Sequence, residues 1–121
     1  MKIDRQKVYQ KCTGHCGYCG KAINFKDMQV DHIIPLWTGP LDKTQGPLNR
    51  LNHEDNLMPS CRSCNHYKRG DNLEQFRVKM VTLHNRVCSH YIGKVALDYN
   101  IVYIKPFDGM FYFEKITDEI R

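Results

Sequence analysis

Two pairs of cysteines, Cys16-Gly-Tyr-Cys19 and Cys61-Arg-Ser-Cys64, carry the strongest chemical signal in the chain. Two residues between cysteines let a tight turn aim both sulfurs at one tetrahedral ion, and two such turns complete a closed four-thiolate zinc site. One pair alone would suit redox chemistry equally well. Two pairs without a surrounding βαβ pattern point to structural zinc rather than to disulfides or thiol exchange. The 41 residues between the pairs exceed a zinc-finger interval, so the ion would clip together segments distant in sequence. Cys12 and Cys88 are left over and are expected to be free thiols.

Between and beside these pairs lie residues suited to phosphate chemistry. Asp31 is a hard oxygen ligand for magnesium or manganese, and His32 is a base that titrates near neutrality. Asn65, directly after Cys64, and Lys68 are three apart on one face of a short helix, offering an oxygen ligand and a phosphate-seeking cation. Consecutive strand residues point to opposite faces, so Asp31 and His32 could serve one site only if the strand ends or bulges there. Taken singly, each of these residues also reads as an ordinary surface, turn or cap residue.

The segments CGYC, VDHIIPL and EDNLMPSCRSCNHYK, in this order, resemble the HNH endonucleases of the ββα-metal fold, and in particular the small zinc-containing type of bacteriophages and bacteria. The resemblance spans about Val8 to Leu73. It implies an α+β chain, a ββα-metal core with a four-cysteine zinc site, flanked by helices. By position, Asp31 matches the family's metal-binding carboxylate and His32 its general base. Asn56 matches the central asparagine that holds the loop and orients the base. Asn65 falls where the last His or Asn ligates the catalytic metal, with His66 in reserve, because the sequence departs there from a literal H-N-H. Lys68 matches a position that contacts DNA phosphate, and Arg62 and Arg69 are further candidates for that role.

The resemblance implies a divalent-metal-dependent endonuclease that hydrolyses DNA phosphodiesters by nicking, double-strand cutting or both, leaving a 5′-phosphate and a 3′-hydroxyl. Its cofactors would be structural zinc and catalytic magnesium or manganese. A non-catalytic zinc-stabilised DNA-binding module, or an accessory subunit contacting phage DNA-packaging proteins, is the alternative. Such a module would keep the cysteines but would not need Asp31 or His32.

The elements that must position these residues are partly legible. A short helix over about Asp4–Lys11, capped by Asp4, precedes the first cysteine pair. Met28–Pro35 reads as a strand stopped by Pro35, and Asn56–Ser60 as a second strand. The stretch from Leu36 to Asp55 has no periodicity and reads as a long loop. A helix is expected over about Arg62–Lys68, ending at Gly70. Asp71-Asn-Leu-Glu74 looks like a capping box opening another helix, with an apolar stripe at Leu73, Phe76, Met80, Leu83 and Val87. Ile101–Ile104 and Met110–Phe113 flank an Asp-Gly pair and suggest a C-terminal β-hairpin.

At 121 residues, 41% hydrophobic and 26% charged, the chain has the size and composition of one globular domain, with a core about 8–73 and an extension about 74–121. A formal charge of +5 suits a polyanion such as DNA. No apolar run is long enough to span a bilayer, so no membrane partner is expected. The first residues show no secretory pattern, and the expectation is a cytoplasmic protein of a bacterium or a phage-infected cell.

Overall fold

The computed structural model describes residues 3–35 and 52–120, with side chains through residue 117. In chain order the elements are α1 (Arg5–Lys11), β1 (Gln29–His32), β2 (Leu57–Ser60), α2 (Arg62–Lys68), α3 (Leu73–Val81), α4 (Leu83–Ser89), α5 (Tyr91–Asp98) and α6 (Tyr112–Ile120). They fall into two compact units, Met1–Leu73 with Phe111–Arg121, and Glu74–Met110. The fold is a mixed α and β arrangement around a very small sheet. Most of the long loop expected over 36–55 lies outside the described residues.

The first unit is built around one antiparallel pair. Strand β1 meets β2 in the register Gln29↔Ser60, Val30↔Pro59, Asp31↔Met58 and His32↔Leu57. A pair of four-residue strands is not stable alone, so neighbouring elements must supply burial. Helix α1 does this on one side: Val8 packs with Met28 and Leu57, flanked by Ile3, Tyr9, Ile23 and Val30. The helix begins where Asp4 accepts hydrogen bonds from the amides of Gln6 and Lys7 at 3.1 and 3.3 Å. At its far end Lys11 donates to the carbonyls of Glu54 and Leu57, tying α1 to the start of β2.

The turn bearing the first cysteine pair lies against the β2 backbone, where the Gly17 amide donates to the Pro59 carbonyl at 2.8 Å. A side chain at Gly17 would place its Cβ 2.3 Å from the Met58 sulfur, and Met58 is buried with nowhere to retreat. Glycine is required there by close approach.

Helix α6 returns to this same turn. The Tyr112 and Phe113 amides donate to the carbonyls of Tyr18 and Gly17 at 3.1 and 2.8 Å. This differs from the expected C-terminal hairpin, since no strand forms over the described residues 101–120. The Asp-Gly turn is present: Asp108 accepts from the Met110 amide at 3.0 Å, and Gly109 has φ +91°. Its flanks take other roles. The Glu114 side chain reaches back to the Phe111 amide at 2.8 Å, one half of a capping box, and starts a helix where Phe113 was expected in a strand. The ring of Phe111 is then buried edge-on against Tyr18.

In the second unit, the single apolar stripe expected through Val87 is divided between α3 and α4. At the break, the Thr82 hydroxyl bonds back to the Val78 carbonyl at 2.9 Å, an interaction that bends helices. Of the stripe, only Phe76 is fully buried, and Val87 is exposed. Helices α4 and α5 then pack closely through Gly93, where a Cβ would lie 2.1 Å from the Val87 carbonyl oxygen. No helix among the described residues is long and apolar enough to cross a membrane.

Candidate metal centre and active site

The sulfurs of Cys16, Cys19, Cys61 and Cys64 all lie within 4.8 Å of one another. A tetrahedron with Zn–S bonds of about 2.3 Å has sulfur–sulfur edges of about 3.8 Å. The Cys19–Cys61 separation of 3.9 Å fits that edge and is far too long for a disulfide. Each pair sits on a turn that aims both thiols the same way. The first closes when the Gly20 amide meets the Cys16 carbonyl at 2.9 Å. The second is the N-terminus of α2, where Cys61 is the cap residue and its sulfur accepts from the Cys64 amide.

A hydrogen bond from Cys64 draws the Cys16 thiol down to about 4, while that same bond pushes Cys64 up. Thiols bind zinc as thiolates, so an ion held here would be bound with release of their protons. The donor set fits zinc and leaves no open position for substrate. Cys12 stands apart as a buried thiol, pushed up to about 11 by desolvation, with its sulfur 4.0 Å from that of Met58.

Beside the cysteines lies a buried charge pair. Asp31 is 5% exposed, and its Oδ2 is 3.1 Å from the ammonium of Lys68, which is completely buried. Tyr18, from within the first cysteine turn, also donates its hydroxyl to Oδ2. Oδ1 accepts from none of the described residues. Burial pushes the Asp31 carboxyl above its ordinary value, against the opposing pull of the Tyr18 hydroxyl and the Lys68 ammonium. The same desolvation, reinforced by Asp31, raises the Tyr18 hydroxyl, so that it stays a donor.

This geometry corrects the expectation that Lys68 contacts DNA phosphate. Its ammonium points inward, donating to the carbonyls of His32 at 3.0 Å and Asp71 at 2.6 Å as well as pairing with Asp31. The spacing argument put Lys68 on a face with Asn65, but could not say that this face packs on β1.

His32 is the last residue of β1, and the strand has no bulge there. Alternation holds: Asp31 turns into the interior, while half-buried His32 turns toward the 52–56 segment. There His32 Nε2 lies 2.7 Å from Asn52 Oδ1. With the amide oxygen as acceptor, Nε2 carries the hydrogen and Nδ1 keeps a lone pair, which no described residue takes up. Asn52 was not singled out in the sequence, because an asparagine in an aperiodic loop carries no signal. The expectation that Asn56 orients the base by its own hydrogen bond is corrected to that extent. Asn56 holds the loop instead, accepting from the Ile34 amide at 2.7 Å and donating to the Ile34 carbonyl at 3.0 Å.

Helix α2 packs on β1 and carries the remaining candidates. The side chain of half-buried Asn65 makes no hydrogen bond to the described residues, and His66 beside it is exposed. No hydrogen bond joins either of them to Asp31 or His32. Arg62 and Arg69 are exposed at the two ends of the helix. The oxygens of Asp31 and Asn65 left without partners among the described residues are suited to a hard divalent cation.

Residues 16–70 match the family model of the HNH endonucleases. This segment is an HNH endonuclease domain. It contains both cysteine pairs, Asp31, His32, Asn52, Asn56 and Asn65, and it stops short of α3. The chain is also similar to the Type II-C Cas9 enzyme from Actinomyces naeslundii, at 27% identity over 62% of this chain with a TM-score of 0.48. It spans 8% of the length of that enzyme. No protein with a curated description matches the chain.

The protein purified without added metal should contain one zinc per chain by elemental analysis. Cys61→Ser should lose both the ion and the cooperative thermal transition, since structural zinc contributes roughly 10–16 kcal/mol in small zinc-binding peptides. Lys68→Met should lower stability by about 3–5 kcal/mol in chemical denaturation, because it leaves the Asp31 charge buried without its partner. A Lys68 whose role was to grip phosphate would instead change DNA affinity and leave stability untouched.

Proposed function

We propose that this HNH domain is a divalent-metal-dependent endonuclease acting on DNA, with the first unit as its catalytic body and Glu74–Met110 as an addition to it. The observation that carries the reading is His32 at the end of β1, held at Nε2 by Asn52 with Nδ1 free, one residue from a carboxylate oxygen that none of the described residues occupies. In this reading Asp31 and Asn65 would hold one magnesium or manganese ion together with a substrate phosphate. That ion would supply Lewis-acid stabilisation of the charge developing on the phosphate. His32 would accept at Nδ1 the proton of the attacking water, a contribution of typically 10²–10⁴-fold. Asn56 keeps the chain after β1 folded back, so that the imidazole has a fixed platform. Arg62 and Arg69 would provide a salt-sensitive grip on the DNA backbone.

Incubating plasmid DNA with the protein and magnesium, manganese or chelator tests this. Relaxed or linear product that depends on the added metal is expected. His32→Ala should remove most cleavage while zinc content, thermal stability and DNA binding stay near wild type, because a base contributes to the barrier rather than to binding. A folded His32→Ala protein that cuts at close to the wild-type rate would refute the mechanism. Asn65→Ala should weaken cleavage in a way that excess manganese partly restores. The same rescuable defect in His66→Ala alone would move the ligand assignment to His66.

A further inference from the structure

We propose that Tyr18 is a positioning residue for the catalytic carboxylate: with Lys68 it pins one oxygen of Asp31 and thereby presents the other to the metal ion. This rests on the reading of Asp31 as a metal ligand. Both donors converge on Oδ2, the Tyr18 hydroxyl from one side and the Lys68 ammonium at 3.1 Å from the other. A carboxylate held by one donor can still rotate or swing between ligating modes. Held by two at the same oxygen, it offers a single directed lone-pair set on Oδ1.

The two donors are themselves fixed by the cysteine cluster. Tyr18 lies between Cys16 and Cys19, and Lys68 lies one helical turn beyond Cys64. The ion that closes the cluster would therefore set the distance between the two groups that aim Asp31. Tyr18 is also braced from behind. Its carbonyl accepts from the Tyr112 amide at 3.1 Å, and its ring packs edge-on against Phe111, with centroids 5.4 Å apart. Phe113 approaches the same ring edge-on at 6.3 Å. These residues lie beyond the 16–70 match, so the C-terminal segment supports the site from outside the family core. An aromatic side chain needed only to fill space there would not require a hydroxyl, and phenylalanine would serve equally well.

The test measures manganese binding rather than turnover. Full-length, zinc-loaded protein carrying His32→Ala is mixed with a short DNA duplex, which stays uncut, and free Mn²⁺ is followed by electron paramagnetic resonance during titration. Adding Tyr18→Phe should weaken Mn²⁺ binding about ten-fold, the lower end of what loss of a group supporting a metal ligand costs. Zinc stoichiometry and DNA affinity should stay unchanged, which shows that the cysteine turn has not simply unfolded. Mn²⁺ binding lost in Asp31→Ala but unaltered in Tyr18→Phe overturns the positioning role alone. Binding that Asp31→Ala leaves intact overturns the assignment of Asp31 as a ligand, and this inference with it.

Discussion

Four cysteine sulfurs from two segments separated by 41 residues converge within 4.8 Å, and nearly everything near the site takes its position from that convergence. The sheet beside it has two strands of four residues. A pair of strands this short contributes little orientation of its own. The cysteine turns instead fix the N-terminus of α2 and the loop carrying Tyr18, and α2 in turn lies on β1. A zinc ion held by the four sulfurs would make this cluster a rigid joint, so an error of one residue in either pair would displace the groups around Asp31 together.

The second constraint is the charge buried beside that joint. An ammonium with no exposed surface is costly, and it is tolerated here because its hydrogens have acceptors: a carboxylate and two carbonyls. The arrangement ties two pieces of chain to one nitrogen: the end of β1, through the Asp31 carboxylate and the His32 carbonyl, and the turn after α2, through Asp71. It holds the carboxylate and the backbone of the adjacent histidine in one frame. The imidazole is then secured separately, by Asn52 on its outer side. These two neighbouring residues are thus held by two independent sets of contacts, as strand alternation demands.

The chain beyond residue 70 shows how local signals can be right about a turn and wrong about what it connects. Asp108 accepts from the Met110 amide and Gly109 takes a positive φ, yet no paired strands form among the described residues on either side. Phe111 gains more by burying its ring against Tyr18 than it could in an isolated hairpin, which is marginal in water. Glu114, three residues on, caps the backbone there and commits the next two turns of chain to a helix. Similarly, the stripe from Leu73 to Val87 has helical spacing throughout, but Thr82 bonds back to the preceding turn and divides it.

The sequence by itself determined the elements whose signals are local: the Asp4 cap of α1, the strands on either side of the loop, the extent of α2, and the two cysteine pairs with their ligand-like spacing. Residue type and short-range spacing are sufficient for these, because capping, turn closure and tetrahedral thiolate geometry depend on neighbours within a few residues. It also determined which residues offer hard oxygen, imidazole and ammonium groups. Only the tertiary structure decided which way they face. That Lys68 turns inward to Asp31, that Asn52 rather than Asn56 meets the imidazole, and that Tyr18 reaches the carboxylate from within the cysteine turn are all contacts between segments 13 to 37 residues apart. Such contacts arise from how a four-cysteine cluster, a two-stranded sheet and a returning helix pack together, and no pattern within a short window of sequence encodes them.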